Sequence, residues 1–482
     1  MVKSYFDSAF LREEYILNDF STHKFNENEF LLTTEHGSWA ALSKEEYALL
    51  RSHKLGEDPN LFDKLKEKGI ILTESNVEKV VRDYRERHHF LFYGPTLHII
   101  TPTMRCNMHC AYCHSSPEAD STIGNDMDRD TAKAVVDFIF KSPAKNLVIE
   151  FQGGECLLNF STMQFVFDYA EKKAKATGKR LKFSLVTNLT KMDETILKEL
   201  ASRKIMGIST SLDGPKEVHN KNRKYLGGTG TYDDVVYWIK RIKSEWEKNF
   251  NLSALGTITR YSLPMGKEIV DEYVSLGFDS LWLRPLNNIG FAAKSWQKIG
   301  YSSDAYNKFY RETLDYIVKK NSGGVQIREA MATIFAKKIL QKRDPMMVDI
   351  MSPCGAAIGQ LLYKFNGDIH SCDEGKIFEE FRLGNVKTSA YGDIFNNKTA
   401  ISLIDISSKK SFLCNKCAWS PYCGICPVYI FSAQGTIVSQ EANDERCKIM
   451  GETIRLVFDK LLHSGDYRKA FFKWCETDTV FV

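Results

Sequence analysis

Arg105-Cys106-Asn107-Met108-His109-Cys110-Ala111-Tyr112-Cys113-His114-Ser115-Ser116 is the stretch around which the chain is organised. Its cysteines, Cys106, Cys110 and Cys113, are spaced C-x3-C-x2-C. Soft thiolates on one short loop are a ligand set for iron and sulfide. Their number matters, because a [4Fe–4S] cube has four irons and three thiolates leave one iron open for a small molecule. Structural zinc takes four ligands, usually from paired C-x2-C knuckles, and this loop offers no fourth cysteine. The preceding apolar run Leu97-His98-Ile99-Ile100 reads as a strand ending at Thr101-Pro102. A loop after the first strand of an α/β barrel lies on the face where such folds keep their chemistry.

The totals bound the answer. A chain of 482 residues is too long for one ordinary core and implies two or three domains. A hydrophobic content of 43% and a charged content of 26% are those of a soluble globular protein. A net charge of +4 is small for this length and argues for neither nucleic acid nor membrane as partner. The opening Met-Val-Lys-Ser-Tyr-Phe-Asp has no apolar h-region, and no uninterrupted apolar run reaches about 18 residues, which reads as a cytoplasmic protein. Twelve cysteines in that setting point to metal or redox chemistry before disulfides.

Three regions are expected: 1–90, 91–330 and 331–482. In the first, Phe30–Thr34 and Ser38–Leu42 flank Glu35-His36-Gly37 as a hairpin. Ser43-Lys44-Glu45-Glu46 is a capping-box pattern that opens a helix. A second helix, Leu61–Lys68, is ended by Gly69, and Ile70–Leu72 is a short strand. The spacing makes Val77–His89 a charged helical link to the next region.

From about Thr96 to about Val325, strand-like and helix-like stretches alternate, the pattern of an α/β fold. The expected strands are Leu97–Ile100, Leu147–Phe151, Lys182–Val186, Ile205–Ser211, Leu252–Ile258 and Ser280–Arg284. The expected helices are Asp130–Lys141, Ser161–Ala176, Asp193–Ser202, Tyr232–Asn249 and Met265–Leu276. Polar residues cluster where these strands end. Gln152-Gly153-Gly154-Glu155 follows the second, with glycines that permit close backbone approach and a carboxylate that accepts from an ammonium. Thr187-Asn188 ends the third, and Ser209, Ser211 and Asp213 end the fourth. Alone, each reads as turn chemistry. Arg223 reads as either a carboxylate binder or a solvent-facing arginine, and Arg284 is expected to line the site.

A second group of seven cysteines comprises Cys354, Cys372, Cys414, Cys417, Cys423, Cys426 and Cys447. Seven suits tetrahedral zinc poorly, and suits two iron–sulfur clusters with one unusual ligand position. Cys156 and Cys475 read as packing thiols. Asp373, directly after Cys372, is either a candidate general base or a carboxylate serving a turn.

Taken in order, the C-x3-C-x-aromatic-C loop with Tyr112 in the aromatic place, the Gly-Gly-Glu motif and the later cysteines resemble the radical SAM enzymes with a SPASM extension. The resemblance implies a partial (β/α)6 TIM-like barrel. It implies a [4Fe–4S] cluster on Cys106, Cys110 and Cys113 whose open iron binds S-adenosyl-L-methionine and cleaves it to a 5′-deoxyadenosyl radical. Tyr112, Gly153, Gly154, Glu155, Asn188, Ser209, Ser211 and Asp213 then fall at cofactor-binding positions, although Cys156 stands where proline is usual. By the family pattern, Cys354, Cys372 and Cys426 would hold one auxiliary cluster, with a residue or the substrate as fourth ligand. Cys414, Cys417, Cys423 and Cys447 would hold a second. The gap between Cys423 and Cys426 is x2 where the family usually has x3. Asp373 lies at the place of a candidate general base in sulfatase maturases.

Within that family the closest likeness is to the maturase of the His-Xaa-Ser peptide system, on Tyr422–Tyr429, Arg446-Cys447-Lys448 and the N-terminal unit. That unit is similar to winged-helix-like domains that recognise a leader peptide by strand addition; a plain packing unit is the equal alternative. The implied activity is oxidative modification, chiefly crosslinking, of a ribosomally made precursor peptide, with flavodoxin or ferredoxin as electron donor. One alternative is a formylglycine-forming sulfatase-type maturase. Another, of a different class, is a non-catalytic zinc scaffold, against which the intact Gly-Gly-Glu and the three-ligand loop both argue.

Overall fold

A computed structural model describes residues 15–477 apart from 204, 343, 409–413 and 441–443, so the first fourteen residues of the expected N-terminal unit lie outside it. Three antiparallel strands, Phe20–Asn26, Glu29–Thr34 and Trp39–Ser43, form a sheet in that order. The turn between the last two sets Gly37 at φ +83°, a conformation that glycine reaches without Cβ strain. Ser43 then caps the helix Lys44–Arg51 reciprocally: its Oγ accepts from Glu46 N at 3.2 Å, and Glu46 Oε2 accepts from Ser43 N at 2.7 Å. The second helix runs Pro59–Glu67, two residues earlier than expected, because Asp58 caps it and Pro59 suits its first turn. Ile71–Leu72 pairs antiparallel with Ile16–Leu17. Leu32, Leu42, Leu50, Leu61, Leu65 and Ile71 give these residues an apolar core of their own.

The charged helix Val77–Arg87 is more than a tether. Arg87, at its end, is buried and donates to the carbonyls of Lys342 and Pro421.

Six parallel strands follow, Leu97–Ile100, Asn146–Phe151, Arg180–Val186, Ile205–Ser211, Asn251–Thr257 and Leu283–Arg284, adjacent in space as in sequence. Helices Arg129–Ile139, Phe160–Thr177, Glu194–Ser202, Tyr232–Glu245 and Gly266–Ser275 lie between them, as right-handed crossovers require. Asp128 and Asp193 cap the first and third of these helices. This is the partial α/β barrel expected. The sixth strand differs, because Ser280–Leu281 pairs with Arg328–Glu329 while Leu283–Arg284 pairs with Gly256-Thr257. The break falls at Trp282, whose ring lies against the interior of the barrel.

The open edge of the first barrel strand is taken by a strand from far along the chain. Gln360–Tyr363 pairs with Leu97–Ile100 in parallel, then Asp368–His370 and Arg382–Asn385 continue antiparallel. One nine-stranded sheet therefore spans the barrel and part of the C-terminal region. Helices Ala330–Leu340, Glu445–His463 and Gly465–Cys475 pack into the same apolar core, where Cys475 is buried. Among the described residues no helix is long and apolar enough to cross a membrane.

Candidate active site

The cysteine loop is fixed from two sides. Lys224 O accepts from His109 N at 2.8 Å and Asn222 O from Ala111 N at 2.9 Å, so the segment after the fourth strand braces Cys110. On the other side, Thr103 O accepts from Gly154 N at 3.1 Å and Arg105 O from Glu155 N at 2.8 Å. A Cβ on Gly154 would stand 2.2 Å from Arg105 O, and one on Gly153 would stand 2.3 Å from Thr103 O. The two glycines are thus what allows the second-strand loop to lie flat on the cysteine loop.

Tyr112 donates to both carboxylate oxygens of Asp213, at 2.8 and 2.9 Å, and accepts from Arg223 Nη1 at 2.8 Å. Arg223, for which the sequence left a carboxylate-binding role beside a solvent-facing one, is 6% exposed and stacks over the Tyr112 ring, so it does not face solvent. Asp213 and Tyr112 sit within its reach, and a buried guanidinium needs such partners. Nothing in the local sequence signals this, since the three residues are brought together only by the barrel.

Glu155 is 1% exposed and accepts from Thr187 Oγ1 and Asn188 N at 2.7 Å and from Leu157 N at 3.1 Å. Its carboxylate ties the second strand end to the third. Burial pushes its carboxyl up, and these hydrogen bonds oppose that shift.

A cavity of about 520 Å³ opens inside the barrel. Tyr112, Gly153, Gly154, Asn188 and Ser211 line it, as do Cys106, Cys110 and Cys113. Among the remaining expected cofactor residues, Glu155, Ser209 and Asp213 are buried behind its wall. Burial pushes all three thiols up, Cys110 to about 12, and charge on the neighbouring thiols adds to the shift of Cys106 and Cys110.

The later cysteines divide into two groups. Cys354, Cys372 and Cys426 share an apolar cluster with Ala356, Phe381 and Val428. Burial and the Cys426 charge push Cys354 up to about 12, and Cys372 feels both Cys354 and Cys426. The x2 gap therefore still brings Cys426 to the first group. Cys423 is pushed up to about 12 by burial and by Cys447, Cys417 and Cys414, which line a 170 Å³ cavity with it, a cavity that Cys426 also borders. Asp444 accepts from Cys447 N at 3.0 Å, which sets Cys447 in the first turn of the helix Glu445–His463, where the helix dipole favours a thiolate. All twelve cysteines are free of disulfides.

Asp373 lies on the wall of the larger cavity. His114 Nε2, on the loop of the first cysteine triad, contacts its Oδ2 at 2.7 Å, and the buried Lys376 ammonium bonds its other oxygen. Burial alone would raise this carboxyl, but Lys376 and His114 outweigh it and hold it well below the usual carboxylate range. The pair joins the Cys113 and Cys372 loops directly. His114 stood inside the quoted motif, but only the fold reveals its partner. Arg284 lines the cavity as expected, shared between Asp349 at 3.0 Å and Glu374 at 3.1 Å.

Residues 100–279 match the radical SAM superfamily. Residues 354–427 match SPASM, an iron–sulfur cluster-binding domain. The chain carries a radical SAM domain and a SPASM domain. This radical SAM/SPASM chain is 26% identical over 330 residues to the cysteine-type anaerobic sulfatase-maturating enzyme of Clostridium perfringens, a match covering 66% of this chain and 84% of that one. It is 27% identical over 342 residues to the antilisterial bacteriocin subtilosin biosynthesis protein AlbA of Bacillus subtilis, covering 67% and 65%. The crystal structure of Streptococcus suis SuiB bound to precursor peptide SuiA aligns with a TM-score of 0.54 at 14% identity, covering 87% of this chain and 97% of that one, a likeness of fold.

Radical SAM domains bind S-adenosyl-L-methionine and a [4Fe–4S] cluster, and SPASM domains bind further clusters. The residues present fit those groups: the donor set is sulfur, the first group shares its cavity with the glycine-supported loop, and the later cysteines form two neighbouring groups that meet at Cys426.

Proposed function

We propose that this enzyme oxidatively modifies side chains of a ribosomally made peptide, joining them in crosslinks. The bound cluster and S-adenosylmethionine supply a 5′-deoxyadenosyl radical, which abstracts hydrogen from the substrate. The observation that carries the reading is the His114–Asp373 contact, which draws the first cysteine triad and the Cys372 loop onto one cavity. A substrate carbon held there faces the hydrogen-abstracting side and the electron-accepting side together. Cys106, Cys110 and Cys113 hold the cofactor-binding cluster. Cys354, Cys372 and Cys426 hold one auxiliary cluster, and Cys414, Cys417, Cys423 and Cys447 the other. Asp373, kept ionised, is positioned to accept the substrate's proton as the second electron leaves.

The N-terminal sheet supports a leader-binding role. It is fastened to the auxiliary-cluster region by Thr33 Oγ1 to Ala418 O at 2.8 Å and Trp39 Nε1 to Ile339 O at 3.1 Å. Phe20–Asn26 is an edge strand of that sheet, the kind of edge that receives an extended peptide. The relatives named for subtilosin biosynthesis and for a bound precursor peptide agree with this reading.

A formylglycine-forming reaction is the second reading, favoured by the likeness to sulfatase-maturating enzymes over two thirds of the chain. The deciding measurement is the mass of a peptide encoded beside the gene after anaerobic incubation with reconstituted enzyme, reductant and S-adenosylmethionine. Loss of two hydrogens per event, with resistance to fragmentation between two residues, is the expected result. A single Ser or Cys converted to a reactive carbonyl would replace the first reading with the second.

A further inference from the structure

The inside of the barrel carries a carboxylate without a cation. Glu150, on the second strand, is 7% exposed and lines the main cavity. Its hydrogen-bond donors are Gln152 Nε2 at 2.6 Å and Ser184 Oγ at 2.9 Å, and neither is charged. Among the described residues it forms no ion pair. Burial pushes its carboxyl up, and Asp373 and Asp349 push it further the same way. The cations of the cavity wall are engaged elsewhere: Arg284 with Asp349 and Glu374, and Arg223 with Tyr112. A buried carboxylate in that condition either takes up a proton or is met by a ligand that brings positive charge, and its place on the cavity wall opens it to the second.

A second acceptor lies two strands away on the same cavity wall. Gln360 is in register with Leu97 at one edge of the first barrel strand and Glu150 with Ile99 at the other, and since Leu97 and Ile99 are two residues apart, both acceptors lie on the same face of the sheet. Gln360 is 2% exposed and lines the same cavity, and its Oε1 has no partner among the described residues. Between and around these two acceptors the wall is apolar, formed by Leu97, Ile99, Val148 and Trp282. Acceptors on a cavity wall that also offers apolar surface match a side chain with an aliphatic stem and a donor-rich cationic head.

We propose that the barrel interior is a subsite for a lysine or arginine side chain of the peptide, with Glu150 as counter-ion and Gln360 as second acceptor. The proposal rests on the peptide-modifying reading above, and it names what that peptide places beside the reacting carbon.

The test is anaerobic calorimetric binding of Ac-Ala-Xaa-Ala-NH2 probes, Xaa being lysine, arginine, norleucine or glutamate. Each is titrated into full-length reconstituted enzyme carrying S-adenosylhomocysteine. The lysine or arginine probe is expected to bind at least about tenfold tighter than norleucine. That preference should fall to about threefold or less in Glu150→Gln, with iron content unchanged. Gln360→Leu, which leaves the carboxylate in place, should lower it partway and guards against a folding defect in the first variant. No difference between lysine and norleucine, or a preference that survives Glu150→Gln, overturns the subsite. So does a Glu150→Gln variant that loses affinity for S-adenosylmethionine while keeping its peptide preference, because Glu150 would then serve the cofactor's ammonium. A Glu150-dependent preference in an enzyme that modifies no peptide keeps the subsite and removes the peptide-modifying reading. A modified natural peptide that tolerates norleucine at every basic position does the reverse.

Discussion

The first cysteine triad and the Cys414–Cys447 group hold sulfur by opposite means. Cys106 and Cys110 are buried, on a loop pinned by backbone bonds from the second-strand and fourth-strand segments. Cys414, Cys417 and Cys423 are half-buried and Cys447 is exposed, held by a short turn and by the start of one helix. The triad faces an interior cavity, whereas the other group lies close to the surface beneath the N-terminal sheet. Radical chemistry needs the first arrangement, because a pinned, enclosed site excludes competing reactions. Under the proposed function the second group would only pass electrons, a task that tolerates the more open arrangement.

The comparison breaks most sharply at the triad. Replacing Cys106, Cys110 and Cys113 together with alanine should reduce S-adenosylmethionine cleavage to background while auxiliary iron persists; cleavage at the wild-type rate would show that the triad is not the cofactor site. Next in size, Cys447→Ala or Cys414→Ala should remove about a third of the iron and abolish product while uncoupled cofactor cleavage continues. Iron and sulfide analysis beside 5′-deoxyadenosine quantification separates these outcomes, and loss of cofactor cleavage would erase the division of labour.

A smaller effect is expected at the seam between the regions. His98, on the first barrel strand, is fully buried against Tyr363 of the added strand, with Nδ1 3.0 Å from the hydroxyl, and burial depresses its pKa to about 3. The folded state therefore keeps His98 neutral, while the unfolded chain takes up a proton below about pH 6.5. Stability from this residue is present above that pH and is lost as pH falls towards 3. Between pH 7 and 5 the wild type should lose about 2 kcal/mol more than His98→Leu in urea unfolding. Identical pH slopes would mean that the seam opens to water. The smallest effect is at Thr33→Val, which removes one bond from the N-terminal sheet to the cluster region and should cost about 1 kcal/mol by the same assay.

Much of this was legible in the sequence because the signals are local. The triad, Gly-Gly-Glu and the strand ends each declare themselves within a few residues, and five of the six barrel strands fall within two residues of where periodicity places them. What stayed hidden depends on distant partners. Arg223 reads as a surface arginine until Tyr112 and Asp213 close around it. His114 carries no signal of its own until Asp373 arrives from 259 residues away. The split at Trp282 follows from its two halves finding different neighbours, which no pattern in Ser280–Arg284 encodes. Glu150 looks like a strand residue with one polar side chain, and only the folded barrel shows that it forms no ion pair among the described residues.

The strand Gln360–Tyr363 has a consequence for oxygen. It lies between the first barrel strand and the C-terminal hairpin, in one uninterrupted hydrogen-bonded sheet. Had the cysteine-bearing halves been separate bodies, each would breathe alone and admit air to its sulfur at its own local opening cost. Joined edge to edge, the buried groups on both sides gain protection that approaches the cost of unfolding the whole sheet. The exposed Cys447 lies outside that shelter, so a thiol-alkylating reagent added to the metal-free protein should reach it before the buried Cys106 and Cys110.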